Sequence, residues 1–239
     1  MNAIAPIPKG YITYHENFDQ GSDEWLQARC GLLTASEMKL IVTPTLKLAN
    51  NEKTRAHVYE LLAQRINKYV EPTYIGDEML RGHMDEVEAR ILYERHYAPT
   101  TNVGFITNDR HGFTIGCSPD ALVGADGGIE AKSRRQKFQV ETIIDIHTLG
   151  SIPADFVAQV QTCLLVTERK WWDFLSYSGG MPLAVCRVFS DPDVQAVLID
   201  AAAAFEARVA EKLSEYQAAL AGMEKLIPTE RRIEQEMFV

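Results

Sequence analysis

The feature that most constrains the fold is a series of four short β-rich runs in the middle of the chain. They read TNVGFITND, GFTIGCS, ALVGA and GIEAKS, and turn residues separate them. Runs of this kind predict a meander of short strands, and Asp126-Gly127-Gly128 is a hairpin signal. Helical patterns precede and follow the series. This order favours an α/β fold with a mixed sheet over a fold of repeated βαβ units.

Helical periodicity and capping residues define the elements on either side of this series. Ser22 is the expected N-cap of a short helix, and Thr34 with Glu37 forms a capping box at the start of another. The first 20 residues show no regular pattern. The remaining elements are expected at 52–69, 77–97, 171–178, 183–190 and 191–222, with two more helices between 137 and 168.

The helix expected at 77–97 carries an apolar stripe. Leu80, Met84, Val87 and Ile91 recur at spacings of four, three and four residues, which predicts an amphipathic helix. Glu86 is one position away from this stripe. We therefore expect Glu86 to border the apolar face of the helix.

Length and composition limit the classes of protein to which this chain can belong. With 239 residues and no linker-like stretch, we expect one domain over 1–239, with a core at about 22–190 and a closing helix at about 191–222. No apolar run approaches the ~20 residues of a membrane span, and we expect no signal peptide. Four scattered cysteines indicate free thiols in a reducing cytosol, without a zinc or iron–sulfur site; they are Cys30, Cys117, Cys163 and Cys186.

The overall charge is acidic. The 24 Lys and Arg residues stand against 33 Asp and Glu residues, which gives a formal net charge of −9. On charge alone, a nucleic-acid partner is disfavoured. The total hides an uneven distribution, because residues 38–70 and 130–137 are both locally basic. If the chain binds DNA, we expect contact to be confined to a narrow basic channel.

Three residues in the β-rich series point to chemistry. Glu130 and Lys132 are two apart on one expected strand, so their side chains share a face, and the hairpin brings Asp120 alongside. Two carboxylates suit Mg²⁺ or Mn²⁺, which lower the pKa of a bound water. Lys132 would orient or deprotonate that water. The alternative is a surface Glu–Lys pair, with Asp120 capping a turn.

Four motifs, spread over residues 25–166, place these residues in a wider pattern. They are W-x₃-R-x-G-x₂-TAS from Trp25, G-x₃-E-x₂-AR from Gly82, CSPD with E-x-K from Cys117, and AQVQ from Ala158. In order and spacing they resemble the phage lambda exonuclease and YqaJ-type viral recombinase family, a branch of the PD-(D/E)xK nucleases. The resemblance implies a single nuclease domain with a mixed central sheet flanked by helices.

The resemblance also implies an activity and partners. It suggests a Mg²⁺-dependent 5′-to-3′ exonuclease that digests one strand of linear double-stranded DNA from a 5′-phosphorylated end. The products would be 5′-mononucleotides and a 3′ single strand for phage-type recombination. A homotrimeric ring around DNA, a single-strand annealing protein as partner, and a phage or prophage protein acting in the bacterial cytoplasm, away from membranes, are further implications.

Specific residues take roles by this resemblance. Asp120, Glu130 and the backbone carbonyl of Ala131 would hold metal, with two ions per site, and Lys132 would activate water. Glu86 would complete the second metal site. The alternative for Glu86 is a pair with Arg90, one helical turn away, which stabilises the helix and requires no function.

The same comparison points to residues around the metals. Arg29, Ser36 and Ser118 would form a pocket for the 5′-terminal phosphate, near a helix start whose free N–H groups favour an anion; the alternative is a plain helix start with a solvated arginine. Gln159 would position water or backbone at the site. Because Gln159 and Gln161 lie about 200° apart on a helix, only one can face it. A structural role for Gln159 is the alternative.

A basic run follows the expected catalytic strand. Arg134, Arg135 and Lys137 would clamp phosphates entering the site, although a solvated basic face is the alternative. The lambda relative has a proline and a longer insertion at this place. Which of the three residues binds phosphate is therefore left open.

Two other functions remain open at this point. One is a structure- or sequence-specific endonuclease of the same fold, which would cut a closed circular duplex that an end-dependent enzyme leaves intact. The other is a non-catalytic DNA-end-binding scaffold. The intact set of two carboxylates and a lysine argues against the scaffold, since binding alone does not require metal ligands.

Overall fold

The computed structural model describes residues 10–15, 19–72 and 76–231, and within them the strands form two mixed sheets. In the first sheet the strand order is β1-β3-β4-β2, with β2 parallel to β4 and the other pairs antiparallel. Its strands are β1 (Ile12–His15), β2 (Leu33–Thr34), β3 (Phe105–Asn108) and β4 (Ile115–Cys117).

The second sheet carries the central residues of the sequence argument. Its order is β5-β6-β7-β8, and β6 runs parallel to β7 while the outer pairs are antiparallel. Glu130 on β6 is paired in register with Phe174 on β7. The strands are β5 (Ala121–Val123), β6 (Gly127–Ser133), β7 (Trp171–Tyr177) and β8 (Ala184–Phe189).

Helices flank both sheets, as the sequence predicts. The helical segment with the Thr34–Glu37 capping box is a short 3₁₀ helix at Ala35–Leu40, whereas the others are α-helices. They are α1 (Asp23–Arg29), α2 (Glu52–Asn67), α3 (Asp77–His96), α4 (Gln136–Leu149), α5 (Ala154–Thr167) and α6 (Pro192–Gly222).

The mixed α/β architecture is confirmed, but two details differ from expectation. The strands divide between two sheets, and Thr101, which lies outside the named strands, forms an isolated bridge to Leu122 of β5. The first 20 residues are not wholly irregular, because β1 pairs with β3 over Ile12–His15. A four-residue strand whose partner is about 90 residues away leaves little local signal, since pairing rather than intrinsic preference stabilises it.

The β5–β6 hairpin forms as predicted, with its turn shifted toward the N-terminus. Gly124 has the positive φ of +52° that the turn requires, whereas Gly127 and Gly128 lie within β6. These two glycines are needed for packing. A Cβ at Gly127 would lie 2.2 Å from the ring of Trp171, and one at Gly128 would lie 2.4 Å from the ring of Trp172.

The apolar stripe on α3 does not face the core. Leu80, Met84, Val87 and Ile91 are 40–64% exposed, so the apolar face that Glu86 borders is open to solvent. The residues that α3 buries are Ala89 and Tyr93. Because α3 buries little apolar surface, polar contacts carry much of its attachment to the second sheet.

Those polar contacts connect α3 to β6 and β7. Tyr93 donates a hydrogen bond of 2.6 Å to the buried carboxylate of Asp173, which also accepts two bonds of 2.8 Å from Arg187. Nearer the start of the helix, the hydroxyl of Ser133 donates to Asp85. The two contacts hold the face of α3 that carries Glu86 against the strand that carries Glu130.

The main hydrophobic core lies around α5. This helix buries most of its length, and it contacts the 3₁₀ helix, β3, β4 and α6. The closing helix α6 packs on α2, where Arg65 and Glu206 form a two-bond ion pair of 2.7 Å. Within the described ranges, no single helix is long and apolar enough to cross a bilayer, although α4 and α5 meet that test jointly across a bend of 68°.

Candidate active site

The β5–β6 hairpin brings Asp120, Glu130 and Lys132 together. Asp120 lies just before β5, and its Oδ2 accepts a hydrogen bond of 2.5 Å from the backbone N–H of Ala131. The Nζ atom of Lys132 lies 2.6 Å from Oε1 of Glu130. The Glu130 side chain is only 2% exposed, so Glu130 and Lys132 do not form a surface pair.

Gln159 faces the same carboxylate. Its Nε2 donates a hydrogen bond of 2.5 Å to Oε1 of Glu130, whereas Gln161 bonds to the backbone of Phe189 and Asp191. Of the two glutamines, only Gln159 therefore reaches the site, as the helical geometry predicts. The second oxygen of Glu130, Oε2, is buried without a hydrogen-bond partner.

Burial and mutual repulsion govern the ionisation of the carboxylates. Burial raises the pKa of both Asp120 and Glu130, and the positive charge of Lys132 only partly opposes it. Burial, followed by the charge of Asp120, raises the pKa of Glu86 to about 7. Burial lowers the pKa of Lys132, but Glu130 and Asp120 outweigh this effect, so the net pKa lies above its usual value.

Glu86 reaches the site from α3. It lines a cleft of about 280 Å³ together with His83, Arg90, Asn102 and Asp120. Arg90 donates its hydrogen bond to Asn102, and within the described residues it makes no ion pair with Glu86. The helical Glu86–Arg90 pair that the sequence left as an alternative is therefore not formed.

The donor set fits a divalent cation in part. Among the described residues, no group of three or more His, Cys, Asp or Glu side chains is arranged to hold a metal ion. Two carboxylates with raised pKa values and one buried, unpartnered oxygen of Glu130 nevertheless lie side by side. Mg²⁺ needs only one or two carboxylates, since it keeps several waters. That Glu86 and the backbone carbonyl of Ala131 bind metal stays a prediction.

The three residues expected to bind a terminal phosphate are connected. Arg29 donates bonds of 3.0 Å to Oγ of Ser118 and 3.2 Å to Oγ1 of Thr34, and Thr34 contacts Oγ of Ser36 at 3.3 Å. Burial lowers the pKa of the Arg29 guanidinium. The adjoining 3₁₀ helix has only six residues, so side chains rather than a helix dipole define this pocket.

The basic run after β6 spreads in different directions. Arg135 pairs with Glu78 at the surface, and Lys137 is exposed, 4.6 Å above the ring of Phe138. Arg134 is half-buried, with its guanidinium 5.2 Å from the ring of Phe156. Because Phe156 lines the cleft that contains Lys132, Arg134 is the best placed of the three to contact a phosphate there.

A second cleft, of about 570 Å³, opens on the other side of the carboxylates. Lys132, Gln159 and Ser36 line it, together with two residues to which the sequence argument gave no role, Lys39 and Lys53. Both belong to the locally basic segment 38–70, and that charge excess was the available signal. That Lys39 and Lys53 line the same cleft as Lys132 could not be inferred from their spacing in the sequence.

Comparisons with known proteins support this fold. The structure is similar to an alkaline exonuclease, LHK-Exo, from Laribacter hongkongensis, with a TM-score of 0.72 and 28% identity over 84% of this chain and 98% of that one. The same enzyme in complex with dAMP gives a TM-score of 0.73, with the same identity and coverage. A phage-related exonuclease from Haemophilus somnus 129PT shares the fold at 11% identity, with a TM-score of 0.55 over 77% of this chain and 96% of that one.

The sequence comparison is narrower and more specific. No curated protein sequence matches the chain significantly. The model of the YqaJ-like viral recombinase domain, however, matches residues 24–170. This match covers more than half of the chain and includes Arg29, Glu86, Asp120, Glu130 and Gln159. It confirms the resemblance seen in the four sequence motifs, and the chain belongs to the YqaJ-like viral recombinase domain family.

Proposed function

We propose that the protein is a divalent-metal-dependent exonuclease that digests one strand of linear double-stranded DNA in the 5′-to-3′ direction from a 5′-phosphorylated end. The observation that carries the proposal is the buried set of Asp120, Glu130 and Lys132 between two clefts, one of which adjoins the Arg29 pocket. The comparisons support a nuclease. Direction, end preference and Mg²⁺ as the ion belong to the proposal.

One relative, known from two structures, supports the substrate class. LHK-Exo is described as an alkaline exonuclease, and it has been crystallised with dAMP, a deoxynucleoside monophosphate. A mononucleotide is the product expected of exonucleolytic digestion. A homotrimeric ring, a single-strand annealing partner, two Mg²⁺ ions per site and one nuclease domain over 1–239 remain part of the proposal.

Each side chain of the site has a separate role in the proposed reaction. Asp120 and Glu130 would bind a divalent cation, which would neutralise charge on the phosphate and acidify water. Gln159 holds Oε1 of Glu130, so that Oε2 stays free for a ligand. Glu130 and Asp120 raise the pKa of Lys132 in the metal-free protein. Lys132 would orient or deprotonate the attacking water and stabilise negative charge.

Replacing Lys132 tests the active site. We expect Lys132→Ala to abolish digestion of a 5′-phosphorylated linear duplex in Mg²⁺, because the variant lacks the cation beside Glu130. Lys170→Ala is the matched control, since Lys170 is an exposed lysine that pairs with Asp126 at the surface. Undiminished digestion by Lys132→Ala would contradict the mechanism.

A closed circular duplex separates the exonuclease from the endonuclease alternative. The proposed enzyme leaves the circle intact and digests the same DNA after linearisation. Cutting of the circle would favour the endonuclease. Stabilisation by Mg²⁺ without turnover on either form would favour a non-catalytic scaffold that binds DNA ends.

A further inference from the structure

The hydrogen bonds around Arg29 fix more than the position of its guanidinium. The planar group lies 4.2 Å from the ring centre of Trp25, and its two terminal nitrogens donate to Ser118 and Thr34. All three neighbours are neutral. Within the described part of the chain, no carboxylate makes an ion pair with Arg29, although the charge of Glu37, which accepts a bond from Thr34, partly offsets that of the guanidinium.

The hydroxyl of Ser118 is constrained to act as a donor. Its oxygen accepts a hydrogen bond of 3.0 Å from Arg29, and it shares the indole N–H of Trp25, at 3.0 Å from each acceptor, with the backbone carbonyl of Gly104. A serine hydroxyl has two lone pairs and one proton. Both lone pairs are used, and the described residues offer no acceptor for the proton. Toward a ligand, Ser118 can therefore only donate.

Thr34 has the opposite arrangement. Its hydroxyl donates a bond of 2.7 Å to Oε2 of Glu37, which also accepts a bond of 2.9 Å from the Thr34 backbone N–H. With the proton directed to Glu37, the lone pairs of Thr34 face Arg29, Ser36 and the backbone N–H of Glu37 in the capping box. Ser36 therefore donates in the long contact of 3.3 Å, which a stronger acceptor can replace.

We propose that Trp25 and Thr34 are positioning residues that direct the donors of the Arg29 pocket toward a single ligand, a dianionic phosphate monoester. Trp25 acts through the face of its ring on Arg29 and through its N–H on Ser118. Thr34 acts by accepting hydrogen bonds from Arg29 and Ser36. The pocket presents donors and the positive charge of Arg29, so it favours a group that has only acceptors, such as a terminal phosphate, over a neutral 5′-hydroxyl.

The inference rests on the proposed function, and a substitution series separates the two. KM and kcat are measured on linear duplexes of one sequence with either 5′-phosphate or 5′-hydroxyl ends. Thr34→Val, which keeps the shape but lacks the hydroxyl, lowers the preference for phosphate about tenfold, the effect expected for one hydrogen bond to a charged group. The change lies in KM, with kcat retained. Thr34→Ser, which keeps the hydroxyl, retains the wild-type preference.

The role of Trp25 has its own test. Trp25→Phe keeps a ring face for Arg29 but lacks the N–H, and we expect it also to lower the phosphate preference. If Trp25 acts through Ser118, the Trp25→Phe change has a smaller effect in a Ser118→Ala background than alone. Trp171→Phe is the control, because Trp171 stacks on Arg187 away from the pocket. Should Thr34→Val fail to fold, this comparison decides.

Each outcome has a separate meaning. Equal KM values of the wild-type protein for the two kinds of end would overturn both the phosphate-end assignment and the positioning roles. A wild-type preference that survives in folded Thr34→Val and in Trp25→Phe would overturn only the positioning roles. A loss of kcat with an unchanged KM ratio would point to general structural damage, and it would also contradict the inference.

Discussion

Replacing Glu86 by glutamine is expected to stabilise the metal-free protein at pH 8. The pKa of Glu86 rises from its ordinary value of 4.5 to about 7 in the folded protein, first because of burial and then because of Asp120. A carboxylate with a raised folded-state pKa contributes most to stability below its unfolded pKa, and that contribution is lost as the pH rises through the folded value. At pH 8 the wild-type protein bears this cost, and Glu86→Gln does not.

The magnitude follows from the pKa. A change from 4.5 to about 7 corresponds to about 3 kcal/mol at ~1.36 kcal/mol for each pH unit. The side chain is 30% exposed, so solvent screening reduces this to about 2 kcal/mol. For a chain of this size, about 2 kcal/mol raises Tm by roughly 4–8 °C.

Thermal unfolding in EDTA across a pH series measures the effect. The advantage of Glu86→Gln should shrink as the pH falls from 8 toward 4.5, where the wild-type carboxyl becomes neutral. Glu88→Gln, an exposed change on the same helix, is the control for loss of one charge. Added Mg²⁺ should then raise the Tm of the wild-type protein more than that of Glu86→Gln. A Tm of Glu86→Gln at or below that of wild type at pH 8 would refute the reasoning.

Two further predictions concern the framework of the site. Tyr93→Phe removes the hydrogen bond to the buried Asp173 and should lower the free energy of unfolding by about 1–3 kcal/mol, measured by urea denaturation; an unchanged midpoint would contradict it. Gly128→Ala places a Cβ 2.4 Å from the ring of Trp172 and should destabilise the protein by about 3 kcal/mol. Gly82→Ala is the comparison: a Cβ there meets open space on a helix and should stabilise the protein by about 1 kcal/mol. Equal effects of the two alanines on Tm would show that the packing argument is wrong.

The parts of the site that lie close in sequence could be predicted. Asp120, Glu130 and Lys132 meet because one hairpin and the alternation of a strand bring them together, and both signals are local. Helical geometry likewise predicts that only one of Gln159 and Gln161 can face the site, whereas the choice of Gln159 came from the family resemblance. The roles of Arg29 and Ser118 came from a family resemblance, because nothing in the sequence indicates that residues 89 apart are in contact.

The orientation of α3 could not be predicted in the same way. Periodicity shows which side chains share a face, but it does not show which face meets the sheet. Here Ala89 and Tyr93 form the buried face of α3. The polar partners of this helix lie on β6 and β7, which are distant from it in sequence. The sequence showed Lys39 and Lys53 only as part of a locally basic segment. Their position in the cleft that contains Lys132 depends on how the segment after β2 packs.

The parallel pairing of β6 and β7 has a consequence for synthesis of the protein on the ribosome. Glu130 lies opposite Phe174, so the strand that carries it gains this neighbour only after 44 more residues have been added. Gln159, which holds the carboxylate, also comes later in the chain. A nascent chain that ends before β7 lacks the strand that completes this side of the site. Truncated products of interrupted translation are thus expected to be inert toward the DNA of the cell that makes them.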